Sequence, residues 1–121
     1  MQCFHPSEIH SGGRKLTVPC NRCMACRINK TYEWSTRLIY EMDDHAKSVF
    51  ITLTYDDDHI GNPSLSKADF QKFIKRVRKH YFGNKKSDLA YYLCGEYGPT
   101  TFRKHGHAAL FGVDFEPDTW Y

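Results

Sequence analysis

Two apolar segments joined by a turn make up most of the last third of the sequence, and they constrain the fold more than any other feature. The first spans residues 89–96 and the second spans residues 105–112. Residues 97–101, between them, contain a glycine and a proline, which mark a turn. Two strand-length segments with so short a connection predict an antiparallel hairpin, and therefore a β-sheet.

Three side chains of this hairpin have metal-binding chemistry. His105 and His107 lie one residue apart, so a strand places both on the same face. Glu96 ends the preceding apolar segment, and the hairpin brings it close to both imidazoles. One carboxylate and two imidazoles suit a hard-to-borderline divalent cation, with positions left for a substrate oxygen. The alternative that fits the same spacing is a pair of surface histidines on a half-buried strand.

Hydrophobic periodicity predicts the remaining elements. A first helix is expected over residues 27–45 and a strand over residues 48–55. A second helix follows Ser66, which together with Asp69 resembles a capping box, and Gly83 ends that helix. Residues 1–19 are punctuated by glycine and proline, and we expect them to be irregular.

The order helix, strand, helix, strand, strand predicts the α+β class. The two hairpin strands pair with each other, the strand at 48–55 joins the same sheet, and the second helix crosses over. We therefore expect an antiparallel sheet with helices on one face, in a split βαβ arrangement of the ferredoxin-like kind. It is preceded by a cysteine-rich segment.

Length and charge narrow the classes of function. The 121 residues supply one domain's worth of core, and a net charge of +3 permits an anionic partner without requiring one. Since no apolar stretch reaches membrane-spanning length and no signal segment opens the chain, we expect a reducing cytoplasm and no membrane partner. One side of the second helix is either a solvated face or a nucleic-acid surface, and its cations are Lys72, Lys75, Arg76 and Lys79.

Three cysteines form a C-x2-C-x2-C run at Cys20, Cys23 and Cys26. Such close neighbours suit a metal ion better than disulfides, and Zn²⁺ with a fourth ligand would make a closed structural site. The iron–sulfur run of bacterial ferredoxins does not continue here, and reduced, unliganded thiols are the other alternative. The fourth ligand is to be found among Cys3, His5 and His10, and we choose Cys3 because four thiolates make a closed site.

Several segments together resemble one family. They are VPCNRCMACR at 18–27, WSTR at 34–37, FITLTY at 50–55, CGEYG at 94–98 and HGHAALFG at 105–112. The ordered set is similar to the replication initiators of gokushovirus-like Microviridae phages, which belong to the HUH endonuclease superfamily. Gly106 stands where that family carries an apolar residue between the histidines, and Lys104 stands where it usually carries proline.

The resemblance implies initiation of rolling-circle replication, with a site-specific nick in single-stranded DNA at the phage origin. A tyrosine would attack the phosphodiester, while Mn²⁺ or Mg²⁺ held by Glu96, His105 and His107 would assist. In this family the tyrosine and a nearby lysine lie on a helix after the second-motif strand. Nothing after Phe115 resembles that helix, and Tyr121 has no lysine partner, so we expect the nucleophile beyond Tyr121 and the chain to be the front portion of such a protein.

The division that follows is a possible zinc segment at residues 1–26 and a partial HUH catalytic domain at residues 27–121. The partners expected are single-stranded DNA and the replication machinery of a bacterial host, in whose cytoplasm the protein would act. A non-catalytic module that binds single-stranded DNA is the alternative function. The DNA contacts expected, each with packing or solvation as its alternative, are Thr52, Thr54, Tyr55, Arg103 and Lys104.

Overall fold

The computed structural model describes residues 1–115, and their contacts divide the chain into two compact units. The first unit comprises Met1–Tyr40, and the second begins at Glu41. A helix that contains the boundary between them, α1, spans Met24–Asp43. No helix within residues 1–115 is long and apolar enough to cross a bilayer.

The first unit contains a hairpin that the sequence did not predict. Strands β1 (Ser7–Ser11) and β2 (Arg14–Val18) pair antiparallel around Gly12 and Gly13, so the expectation of an irregular segment at residues 1–19 was wrong. Both glycines have positive φ, 57° and 76°, as a tight two-residue hairpin turn requires. The strand residues are exposed on both faces except for the half-buried last one, so they lack the alternation that would have revealed them.

The second unit has the predicted topology. It consists of β3 (Ser48–Leu53), α2 (Lys67–Phe82), β4 (Ala90–Tyr97) and β5 (Lys104–Phe111). The strand order is β3-β5-β4, and β5 runs antiparallel to both neighbours. Because β3 and β4 therefore run parallel with β5 inserted between them, α2 is the crossover of a split βαβ unit. The predicted α+β class with an antiparallel sheet is confirmed.

Residues of β5 alternate between the core and the opposite face of the sheet. Ala108 and Leu110 are fully buried and pack with Ile74 and Val77 of α2. His105 and His107, out of phase with them, lie on the face away from this core and are only half-buried. The period of two that buries the core therefore fixes which face carries the histidines.

The start of α2 differs from its prediction. Ser66 precedes the helix, but within the described chain its side chain makes no capping hydrogen bond. The Asp69 carboxylate instead accepts a hydrogen bond from the hydroxyl of Tyr55, at 2.8 Å. The capping box was therefore wrong, because Asp69 is one methylene shorter than the usual glutamate and has a tertiary partner.

Gly106 has no room for a side chain. A Cβ at this position would lie 2.7 and 2.8 Å from Cε1 and Cζ of Phe70 on α2. The ring of Phe70 thus occupies the space that an apolar residue between the two histidines would fill. The helix supplies the apolar group that the strand lacks, which keeps the two imidazoles in phase.

His45 is a buried imidazole between carboxylates. Its side chain is 6 % exposed, and its Nε2 donates to Glu41 Oε1 at 2.8 Å. Its Nδ1 lies 3.4 Å from Asp88 Oδ2. The hydrogen bond to Glu41 is the main cause that raises the pKa of His45, burial opposes it, and the charges of Asp88, Glu41 and Asp44 add to it.

We expect Gly106→Val to destabilise the second unit by roughly 1–3 kcal/mol, the usual cost of overpacking. The valine must displace the Phe70 ring. The double variant Gly106→Val/Phe70→Leu should recover much of the loss, as measured by urea unfolding of each variant and of Phe70→Leu alone. A fully stable Gly106→Val protein, or additive losses in the double variant, would contradict this packing.

The raised pKa of His45 predicts a pH-dependent contribution to stability. The folded state prefers the protonated imidazole, so the contribution is complete below the unfolded pKa of about 6.5 and disappears as pH rises through the higher folded pKa. Glu41→Gln should therefore cost about 1 kcal/mol in mildly acidic buffer, at the low end for a charge-assisted bond because Glu41 is partly exposed. In alkaline buffer the cost should shrink. Denaturant unfolding across this pH range measures the difference, and a loss that is constant with pH argues against the assignment.

Candidate metal centre

Glu96, His105 and His107 meet at one end of the β4–β5 pair. Glu96 lies directly opposite His105 in the register. A single carboxylate oxygen, Glu96 Oε2, is 3.1 Å from Nε2 of His105 and 2.9 Å from Nε2 of His107. The structure therefore brings together the three side chains that the sequence grouped, and it converges both Nε2 atoms on the same oxygen.

The other ring nitrogen of each histidine also has a partner. Nδ1 of His105 is 3.3 Å from the carbonyl oxygen of Arg103, and because a carbonyl only accepts, this nitrogen carries the hydrogen. Nδ1 of His107 is 3.2 Å from the hydroxyl of Thr52 on β3. In metal sites the outer nitrogen of a histidine ligand is typically held this way, which fixes the tautomer and points Nε2 inward.

The electrostatics of the group favour a cation. His107 and then His105 hold the pKa of the Glu96 carboxyl below its usual range, so this group is an anion at neutral pH. With Nδ1–H outward, each neutral imidazole directs an Nε2 lone pair at that anion. Either a proton or a metal ion must lie between them, because lone pairs and a carboxylate otherwise repel.

The donor set fits a divalent metal. The three ligand atoms lie within 4.8 Å of one another. Glu96 is 56 % exposed and the histidine side chains 21 % and 28 %, so the group is open to solvent on one side. Three protein ligands with an open side resemble a catalytic site more than a closed structural one. What the arrangement offers chemically is a cation that can bind an additional oxygen ligand.

An exposed aromatic ring borders this group, and no feature of the sequence gave it a role. Phe50 on β3 is 69 % exposed, and its ring stacks on His107 with centroids 5.8 Å apart and planes 12° from parallel. The signal that could have found it is strand phase, since Phe50 and Thr52 share the face that carries His107.

The residues predicted to contact DNA lie in different environments. Thr52 belongs to the histidine face, as described above. Lys104 is 3 % exposed, donates to the carbonyl of Ser64 at 3.2 Å and lies 4.4 Å from the ring centroid of Tyr55. The Arg103 side chain is 40 % exposed, pairs with Asp57 at 2.8 Å and donates to the Tyr55 carbonyl at 2.6 Å.

The remaining predicted contacts lie at a separate cleft of about 850 Å³ between the end of β3 and α2. Thr54 and Tyr55 line it, together with the helix cations Lys72 and Arg76 and the carboxylate of Asp69. Glu96 and the two histidines are not part of its lining. The cations of α2 therefore face a cleft of mixed charge rather than the metal-binding group.

A second group of metal-binding side chains lies in the first unit. The thiols of Cys3, Cys20, Cys23 and Cys26 are within 4.8 Å of one another. The structure thus brings together all four cysteines that were predicted, including Cys3 from the far end of the sequence segment. The predicted absence of a partner for Tyr121 concerns a residue outside the described part of the chain.

Comparison with known proteins gives the family. The chain belongs to the ORF2 family of replication-associated proteins, whose model matches residues 48–120. It is 39 % identical over 119 residues to the replication-associated protein VP4 of Bdellovibrio phage phiMH2K. It is 32 % identical over 106 residues to the replication-associated protein ORF2 of Spiroplasma virus 4, and 30 % identical over 98 residues to the replication-associated protein ORF4 of Chlamydia phage 1.

These matches cover 95 %, 83 % and 78 % of this chain but only 37 %, 33 % and 24 % of the three relatives, in the same order. The chain thus spans about a third or less of their length. No solved structure gives a significant match. The resemblance found in the sequence segments is confirmed at the level of this phage replication-protein family.

A graded set of variants tests the metal centre. Thr52→Val removes only the partner of His107 Nδ1 and should weaken Mn²⁺ binding by about 10–100-fold. Glu96→Gln and His107→Ala each remove a ligand and should weaken it further. His59→Ala is the matched control, because its imidazole pairs with the Asp56 carboxylate away from the site. Isothermal titration with Mn²⁺ measures the affinities, and circular dichroism checks the fold. Unchanged affinity in both ligand variants would remove the site.

Proposed function

We propose that this chain is the metal-binding and DNA-binding part of a rolling-circle replication initiator that nicks single-stranded DNA at a phage origin. The observation that carries the proposal is the convergence of Glu96, His105 and His107 on an open face of the sheet. Family membership supports the replication role.

The reaction is a transesterification at phosphorus. A tyrosine hydroxyl loses its proton to solvent and forms a bond to phosphorus, while the bond to the 3′ oxygen breaks. The 5′ phosphate stays joined to the tyrosine, and the 3′ oxygen leaves as a hydroxyl that primes synthesis. A divalent cation, when bound, polarises the phosphate and neutralises its developing charge. This chain's contribution is to orient the two imidazoles and hold the scissile phosphate beside them.

Imidazole ligands favour Mn²⁺ over Mg²⁺, which prefers shells made only of oxygen. The two Nε2 atoms of His105 and His107 therefore make Mn²⁺ the better fit for this site. Only one protein oxygen, from Glu96, adjoins them, so phosphate and water oxygens would complete the shell.

The nucleophile is expected beyond Tyr121, and the described tyrosines support that expectation. The hydroxyl of Tyr55 donates to Asp69, and burial followed by this carboxylate raises the pKa of Tyr55 to about 12. The hydroxyl of Tyr97 accepts a hydrogen bond from the backbone N–H of Leu65 at 3.0 Å. A raised pKa disfavours the tyrosinate, and neither hydroxyl belongs to the Glu96 group.

This observation also favours the second candidate for the chain by itself, a module that binds single-stranded DNA without cutting it. Stacking and charge would hold the strand in either case. Phe50 offers an exposed ring beside the metal-binding group, and Arg103 keeps part of its guanidinium accessible. We assign Lys104 to the support of the turn, because its ammonium is buried against Ser64 and Tyr55.

On this proposal the protein acts in the cytoplasm of a bacterial host. Its partner there is the single-stranded phage origin, and the host replication machinery would extend the 3′ hydroxyl. The DNA contacts near the site are Thr52, Phe50 and Arg103, while Thr54 and Tyr55 adjoin the separate cleft beside α2.

The test is binding of fluorescent single-stranded oligonucleotides that tile a phage origin, with and without Mn²⁺. We expect affinity that Mn²⁺ increases, and Glu96→Gln should abolish the increase. Phe50→Ala should cost about 1–3 kcal/mol of binding, the usual value of one stacked base, without changing Mn²⁺ affinity. Tyr91→Ala is the control, because Tyr91 is on the opposite face of the same sheet, where Arg78 lies over its ring.

Denaturing gels of the same mixtures distinguish the two candidates. A protein–DNA adduct would show that this chain holds its own nucleophile and would contradict the expectation of a tyrosine beyond Tyr121. Retention without an adduct fits the proposed part of an initiator. An absence of binding to every oligonucleotide, with or without Mn²⁺, would overturn both candidates.

A further inference from the structure

We propose that Cys3, Cys20, Cys23 and Cys26 form a closed tetrathiolate site for one Zn²⁺ that fastens the N-terminal hairpin to the start of α1. The matched family model begins at residue 48, so it does not reach these cysteines. The inference goes beyond the proposed function, because the site has no open position for a substrate and lies in the other unit.

The sulfur positions match a single tetrahedral ion. Cys20 Sγ is 3.9 Å from Cys26 Sγ, and Cys23 Sγ is 3.9 Å from Cys3 Sγ. With Zn–S bonds of about 2.3 Å, the edge of a regular tetrahedron is about 3.8 Å. All five cysteines are free thiols, and the 3.9 Å separations are far longer than a disulfide bond of about 2.05 Å.

Backbone N–H groups point at these sulfurs, as they do around metal-bound thiolates. The amide of Phe4 donates to Cys23 Sγ at 3.5 Å, and the amide of Cys20 donates to Cys3 Sγ at 3.3 Å. Cys20 Sγ accepts from the amides of Arg22 and Cys23, at 3.4 and 3.3 Å. Four donors aimed at sulfur stabilise negative charge on thiolates, which is the form that binds metal.

The acidities of the thiols agree with a cluster that lacks its cation. The backbone N–H groups of Phe4 and then Cys26 lower the pKa of Cys23 to about 6. Burial, by contrast, raises the pKa of Cys26 to about 12. One thiolate beside one buried neutral thiol is a mixed state, and a divalent cation would convert all four to the bound thiolate form.

Local structure explains how distant cysteines meet. The hairpin β1–β2 occupies the interval between Cys3 and Cys20, so its two ends are already close together. Asn21, with φ of 62°, turns the chain so that Cys23 and Cys26 follow at the start of α1. The N-terminal ammonium donates to Asn29 Oδ1 at 2.8 Å, and Asn29 Nδ2 donates to the carbonyl of Met1 at 2.6 Å.

The first unit needs such a fastening because it buries little. The hairpin strands are exposed along nearly their whole length, and an isolated two-stranded hairpin is marginally stable in water. Only Ala25 and Cys26 of α1 are buried among its described residues. In small units without a sufficient core, a structural metal supplies the missing stability.

An iron–sulfur cluster fits less well. Each thiolate of a four-iron cluster binds a different iron, which separates the sulfurs more than a single ion does. All four Sγ atoms lie within 4.8 Å of one another, as a mononuclear site requires. Among single ions, tetrahedral sulfur ligation selects zinc under ordinary cellular conditions.

The experiment measures metal content of the full chain purified under reducing conditions. To exclude the other site, all proteins carry Glu96→Gln and His107→Ala. We expect about one zinc per chain by mass spectrometry. Cys3→Ser and Cys26→Ser should lose it, and Cys94→Ser, an exposed thiol outside the cluster, should retain it. Replacement by Co²⁺ should give thiolate charge-transfer absorption in the control and not in the two cluster variants.

Proteolysis of the unmutated chain provides a test that does not depend on the folding of variants. A chelator should accelerate cleavage within residues 1–30 several-fold, and added Zn²⁺ should restore protection. Identical cleavage with and without chelator, a chain without zinc, or a bound iron cluster would overturn the proposal. These readouts are independent of Mn²⁺ affinity and DNA binding, so failure here leaves the proposed function untouched, and the reverse also holds.

Discussion

The pairing of β5 with strands on both sides is the constraint on which the rest of the second unit depends. Its position in the middle of the sheet fixes the phase of every side chain along it. A slip of one residue would place Ala108 and Leu110 in solvent and both histidines against α2. The hydrophobic free energy that buries Leu110 therefore also determines where His105 and His107 lie, and one register serves both packing and chemistry.

Phe70 and Gly106 illustrate how the helix and the strand share this task. The crossover helix supplies an aromatic ring, and the strand supplies the empty space beneath it. Gly95 repeats the pattern on β4, where a Cβ would lie 2.7 Å from Leu65. Because the two glycines are paired in the register, the sheet is thin at the point just below the metal-binding group. Side chains from α2 and its preceding loop fill that space.

Much of this arrangement could be predicted because it follows from local rules. Strand alternation placed His105 and His107 on a shared face, and a short connection indicated the position of Glu96. The hairpin β1–β2 was missed because its strands are exposed on both sides and carry no apolar phase. Asp69 and Lys104 were misjudged or left open because each has a partner distant in sequence. The environment of Phe50 likewise depends on pairing across strands.

The two cysteine- and histidine-based groups require opposite coordination chemistry in one chain. Zinc binds imidazole and carboxylate more tightly than manganese does, so affinity alone would fill the Glu96 site with the wrong metal. A soft, closed set of four thiolates takes up zinc preferentially, and the open set of two nitrogens and one oxygen leaves positions for hard phosphate oxygens. The selectivity of the open site must therefore come from its substrate, because phosphate oxygens favour Mn²⁺ or Mg²⁺ as the additional ligands. Metal identity at Glu96 is thus best determined with single-stranded DNA bound.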